Sequence, residues 1–103
     1  MLKLLVLYPT PTDVAQFEAD YVKHLELLHE KAGIPAGIKP YSITKMLPTP
    51  EGMPPFYQLF SMPFDSPEAL QATMASAAMQ EVGADAARIS TGGAPVIMIG
   101  NEE

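Results

Sequence analysis

Cysteine is absent from the 103 residues, which excludes disulfides, zinc–thiolate centres and thiol catalysis. Positive charge is scarce. Six Lys and Arg stand against twelve Asp and Glu, for a net charge of −6, and the six are scattered along the chain. No basic stripe can follow a phosphate backbone, so no nucleic-acid partner is expected. No apolar run approaches the roughly eighteen residues of a membrane span. The opening Met1-Leu2-Lys3-Leu4-Leu5-Val6-Leu7-Tyr8-Pro9 is too short for a signal peptide and lacks a small-residue cleavage site. A cytoplasmic chain with no membrane partner is the expectation. Histidine occurs only as His24 and His29, five apart, which does not place them on one helical face in the i, i+4 manner. With no acidic cluster beside them, no metal site is expected. Phosphate-cradling glycine loops, nucleophile elbows and Ser-His-Asp signatures are missing too, and no cofactor is called for.

What remains suits one domain over residues 1–103. Hydrophobic residues make up 48%, ordinary for a globular chain of a size that can bury a core without staples, and there is no internal repeat. Leu2 to Tyr8 reads as a strand ended by Pro9-Thr10-Pro11. Apart from Lys3 both of its faces are apolar, the mark of a central strand. Ile38 to Leu47 alternates Tyr41 and Ile43 against Ser42 and Thr44, with Pro40 inside, which suits an edge strand. A proline-stiffened loop over residues 48–55 leads to the strand Phe56 to Phe64. There Phe56, Gln58, Phe60, Met62 and Phe64 face one way, Tyr57 and Leu59 the other. Pro95 to Gly100 is the last strand.

Two helical regions separate the strands. Thr12 or Asp13 caps the first, which runs to about Lys31 and is stopped by Gly33-Ile34-Pro35. At about 100° per residue, Val14, Phe17, Tyr21, Leu25 and Leu28 share a stripe roughly 80° wide, with His24 at its margin. Ser66-Pro67-Glu68 opens the second with a hydroxyl cap, a proline at the first position and an acid in the first turn. Ser76 can cap again, so a break is expected near residues 75–77, with a further piece to about Ser90 containing Asp85.

The order β-α-β-β-α-β, with right-handed crossovers, gives an α+β, ferredoxin-like fold: a four-stranded antiparallel sheet, strands one and three central, helices on one face. Its strands are nonetheless apolar on both faces. The bare face of such a sheet measures roughly 400 Å², near the upper edge of what a single chain leaves open. A second copy covering it, as a homodimer closing into an α/β barrel, is the simplest expectation.

Several motifs match a known family in order and spacing. Leu7-Tyr8-Pro9, then Phe17-x3-Tyr21-x2-His24, resembles the start of an EthD domain, named for proteins needed in ethyl tert-butyl ether degradation. Tyr57-x2-Phe60, Phe64-Asp65-Ser66, Met79-Gln80, Asp85 and Gly92-Gly93 resemble its later signature. This implies a dimeric α/β barrel and relatives that bind small, often aromatic or ether-containing molecules. Some of these accompany oxygenase systems, and others catalyse isomerisation, dehydration, decarboxylation or cofactor-less oxidation. It also carries over Tyr21, His24 and Asp85 as family positions. Relatives often have a proline where this chain has Leu25-Glu26-Leu27, and an aromatic near Ile89.

The candidate site follows. His24 would serve as general acid or base, because an unperturbed imidazole exchanges protons near neutral pH; a hydrogen-bonded structural histidine is the competing reading. Tyr21 and Asp85 would orient substrate or histidine. Tyr8, Phe17, Phe60, Met62 and Met98 would contact a small hydrophobic or aromatic ligand, although core packing explains them equally. His29 is expected to be a solvated histidine near the negative end of the helix. Three functions stay open: an enzyme using His24 for cofactor-less oxidation, isomerisation or elimination; a binding module serving an oxygenase; and a structural dimer without a site. A cavity of ~300 Å³ or more beside His24 would argue against the last.

Overall fold

Local chemistry sets each helix boundary in the computed structural model, which describes residues 1–103. The order is β1 (Leu2–Pro9), α1 (Val14–Ala32), β2 (Ser42–Lys45), β3 (Phe56–Phe64), α2 (Pro67–Ala75), α3 (Ala77–Ile89) and β4 (Val96–Asn101). Asp13 caps α1, its carboxylate accepting from the Gln16 N–H at 3.1 Å. Gly33 ends α1 at φ 68°, a left-handed conformation that costs glycine nothing. Ser66 caps α2 and Pro67 fills the first turn. Ser76 then serves two helices. Its hydroxyl donates to the Thr73 carbonyl at 2.6 Å, closing α2, and accepts from the Met79 N–H at 3.2 Å, opening α3. The expected break is therefore a swivel built on one side chain.

The four strands form one antiparallel sheet in the order β2-β3-β1-β4, the ferredoxin-like arrangement with β1 and β3 central. Tyr8, Phe60 and Met62 from the sheet pack against Phe17, Tyr21 and Leu28 of α1 and Val82, Ala86 and Ile89 of α3. Each large apolar side chain so enclosed contributes roughly 1.5–3 kcal/mol. The turn before β4 packs tightly on the turn after β1. A Cβ on Gly92 would lie 1.9 Å from the Thr10 carbonyl oxygen, so only glycine fits there.

Three details differ from the sequence reading. The edge strand β2 is only four residues long and Pro40 lies outside it, because a proline cannot join the ladder. The register of β1 on β3 slips between Tyr8↔Gln58 and Pro9↔Phe56. This leaves Tyr57 as an extra, bulged residue, and its hydroxyl donates to Glu18 on α1 rather than facing away from the helices. Finally, the helices cover the centre of the sheet but not its β4 edge. Val96, Ile97, Met98 and Ile99 remain 39%, 52%, 43% and 54% exposed, open on both faces of that strand. No helix is long and apolar enough to cross a membrane.

Candidate functional site

His24 sits where α1, α3 and the sheet converge. It is only 4% exposed, deeper than its place at the margin of the α1 stripe suggests, because α3 packs beside α1 and widens the buried face. Its Nδ1 lies 2.8 Å from Asp85 Oδ2 on α3. Arg88, one turn further along α3, reaches the other oxygen, Asp85 Oδ1, through Nε at 3.0 Å and an Nη at 2.8 Å. Burial pushes the Asp85 carboxyl up, but the hydrogen bonds and charges of His24 and Arg88 outweigh it and hold the group below its ordinary value. A carboxylate accepting from Nδ1–H fixes the ring tautomer, which leaves Nε2 as the basic nitrogen.

Beside His24 lies a cavity of about 190 Å³. Sheet residues Leu4, Val6, Tyr8, Phe60 and Ile97 form its floor, and helix residues Leu28, Met74, Met79, Val82, Gly83 and Ala86 its roof and sides. The lining is almost wholly apolar, and the Tyr8 hydroxyl and the His24 imidazole are its polar groups. The volume falls below the ~300 Å³ at which drug-sized pockets begin. A dry cavity of about 150 Å³ nonetheless accepts a benzene ring, so the space suits a one-ring molecule.

The structure brings Tyr8, His24 and Phe60 to this cavity and places Asp85 directly behind the histidine. Tyr21 and Phe17 form the aromatic wall behind Tyr8, with ring centroids 5.6 Å and 5.4 Å from it. Met62 is buried in the core outside the lining. Met98 lies on the far face of the sheet. It pairs with Leu5, whereas Ile97 pairs with Val6 on the cavity side, and alternate side chains of a strand point oppositely. His29 is not simply solvated: its Nε2 is 2.7 Å from the hydroxyl of Tyr41, a residue only 8% exposed. No three or more His, Asp or Glu side chains are grouped to hold a metal.

A family model for the EthD domain matches residues 9–92. The chain belongs to the EthD family. The match takes in Tyr21, His24 and Asp85 and leaves Tyr8 and β4 outside. The fold is shared with the crystal structure of an ethyl tert-butyl ether D (EthD) family protein from Bacillus halodurans C-125. That protein is 30% identical, with 100% of this chain and 99% of that chain covered and a TM-score of 0.83. A dimeric ferredoxin-like protein of unknown function from Jannaschia sp. CCS1 is also similar, at 12% identity over 99% of this chain and 100% of that one, with a TM-score of 0.69. At that identity the likeness speaks for the fold alone. No curated protein matches the chain. For this chain, EthD membership carries a ferredoxin-like architecture and leaves the chemistry to the site.

Next to the EthD motif stands a polar cluster that sequence reasoning passed over. Lys45 at the end of β2 donates to Glu18 at 2.7 Å and to Gln58 Oε1, and its ammonium lies 4.9 Å from the centre of the Tyr57 ring. The Lys45 hydrogen bond, then that from Tyr57, hold the Glu18 carboxyl low, and the bond to Glu18 raises the Tyr57 phenol. Gln58 is fully enclosed. Its position among apolar neighbours on β3 was the one available signal, since a buried amide requires partners.

Proposed function

We propose that this EthD protein is a homodimer that binds a small hydrophobic or aromatic molecule, about one ring in size, in the cavity beside His24, and moves a proton there without a cofactor. The carrying observation is the 2.8 Å contact between His24 Nδ1 and Asp85 at the wall of an apolar cavity. Asp85 holds Nδ1–H and supports the positive charge that appears when Nε2 accepts a proton. Arg88 steadies Asp85 from the solvent side. Such a base suits an isomerisation, an elimination or the first, proton-removing step of an oxidation. Tyr21 belongs to the supporting wall, and Tyr8 faces the ligand.

The dimer reading rests on β4 and on the sheet face away from the helices. Leu5, Leu7, Leu59, Val96 and Met98 lie there on alternating strand positions with no layer above them. A second copy would cover them, closing the two sheets into a barrel; the Jannaschia protein of the same fold is itself described as dimeric. Light scattering at micromolar concentration is expected to give twice the chain mass, and a monomer mass would contradict the dimer.

A binding module for an oxygenase system is the second reading. It is favoured by a lining that offers few polar groups to stabilise a transition state. The two separate on a His24→Gln variant and the substrate it acts on. Loss of turnover with retained affinity supports the enzyme, and unchanged turnover removes His24 from the chemistry.

A further inference from the structure

Three polar side chains form a row across the helix-facing side of the sheet. Lys45 on β2 is the register partner of Gln58 on β3, and Gln58 is the register partner of Tyr8 on β1. Such residues stand side by side on one face. Tyr21 reaches down from α1 and packs edge-on against Tyr8. The row starts at an ammonium near the protein surface and ends at a phenol lining the cavity.

The donor and acceptor inventory gives this row a direction. Lys45 has only hydrogens to give, and it gives one to Gln58 Oε1, so the Gln58 amide is fixed with Nε2 turned the other way. Gln58 Nε2 and Tyr21 Oη are both completely buried, and neither closes a hydrogen bond of standard geometry. They are polar neighbours of each other, and the Tyr8 hydroxyl is the next polar neighbour of Tyr21. Nε2 is a pure donor and needs the Tyr21 oxygen. Tyr21 must then send its own hydrogen to the Tyr8 oxygen, and the Tyr8 hydrogen is left for the cavity. Burial raises both phenols well above their ordinary value, so both remain neutral donors across the neutral range.

We propose that Lys45, Gln58, Tyr21 and Tyr8 form a one-way chain of hydrogen-bond donors ending in the cavity, so that the ligand beside His24 carries a carbonyl oxygen as acceptor for the Tyr8 hydroxyl. This rests on the cavity being a ligand site and adds to it the class of ligand. Tyr8 is the contact residue; Tyr21, Gln58 and Lys45 are positioning residues that act through it. A ligand oxygen at Tyr8 and an adjacent C–H or O–H at His24 Nε2 would span the two polar groups of an otherwise greasy space.

The test uses two probes of one shape, cyclohexanone and methylenecyclohexane, which differ in an oxygen for a methylene. Their affinities are measured by calorimetry or NMR for wild type, Tyr8→Phe and Lys45→Met, each checked for folding by circular dichroism. The ratio of ketone to alkene affinity is expected to fall about three- to tenfold in Tyr8→Phe, the worth of one neutral hydrogen bond. It should fall about twofold in Lys45→Met, where the chain loses its polarising end. The infrared carbonyl stretch of bound cyclohexanone should lie lower in wild type than in Tyr8→Phe, a shift that a structural role for the phenol would not produce. If both probes bind but ratio and stretch are the same in wild type and Tyr8→Phe, this inference is overturned while the cavity reading stands. A lowered ratio in Tyr8→Phe with none in Lys45→Met would overturn the chain. Binding of neither probe to wild type would overturn the cavity reading and this inference together.

Discussion

The two histidines of α1 stand five residues apart and live in different chemistry. His24 is buried, has a carboxylate behind it and lines a partly open apolar cavity. His29 is half-buried, bonds to the neutral hydroxyl of Tyr41 and borders a shallow depression open to solvent. Residue type is identical, so the difference lies in the partner and the enclosure. A carboxylate can only accept, and so fixes the tautomer; a phenol can donate to or accept from the imidazole and does not. Only the first arrangement leaves a fixed basic Nε2 beside a cavity, which the proposed proton transfer requires.

The largest separation should come from removing each ring in turn. His24→Ala is expected to lower turnover of the cavity substrate by about 10²–10⁴-fold, the usual range for a positioned general base. His29→Ala should leave turnover within about twofold. Steady-state kinetics decides it, and equal losses from the two variants would erase the distinction.

Next is the partner. Asp85→Asn keeps the shape and removes the charge, and turnover should fall about 10–100-fold, the range found when the orienting partner of a metal-bound histidine is lost. The same variant tests the acid side of stability. The Asp85 carboxyl is held low in the folded protein. Its contribution is therefore present above the unfolded value near 3.9 and is lost as pH falls through the folded value. Urea midpoints followed from about pH 5 to pH 2 should decline less steeply in Asp85→Asn than in wild type. Parallel declines would mean that the pair adds nothing to folding.

A smaller effect is expected at the second histidine. Tyr41→Phe removes the His29 partner and should cost about 0.5–1.5 kcal/mol of stability, read from urea unfolding, with turnover unchanged. The smallest belongs to Arg88, whose side chain is 62% exposed. Arg88→Ala should leave the urea midpoint nearly unchanged, and a clear fall would show that the Arg88–Asp85 contact is a structural anchor.

Periodicity made most of the frame legible. The two-sided apolar β1 is central, Ser76 breaks the second helical region, and the capping residues sit where hydroxyls and carboxylates stood ahead of helical runs. At the site, the EthD resemblance singles out Asp85, and the structure brings it to His24 across 61 positions. What stayed hidden depended on register and tertiary packing. Met98 and Ile97 are equally apolar neighbours, and only the pairing of β4 on β1 decides which of them faces the cavity. A one-residue bulge turned Tyr57 toward α1. The row Lys45–Gln58–Tyr8 exists only because three strands align those positions, a relation that no periodicity within one strand can reveal. His24 went from margin to interior because a second helix covers it.

One histidine of this helix is held by a carboxylate and, as proposed, meets a ligand, while the other does neither. The most direct measurement is a ¹⁵N NMR titration of the histidine side chains with cyclohexanone. His24 is expected to be the Nδ1–H tautomer, with its Nε2 resonance moving on saturable addition of the probe, while His29 stays still. Equal response of the two rings, or a His24 protonated on Nε2, would contradict it.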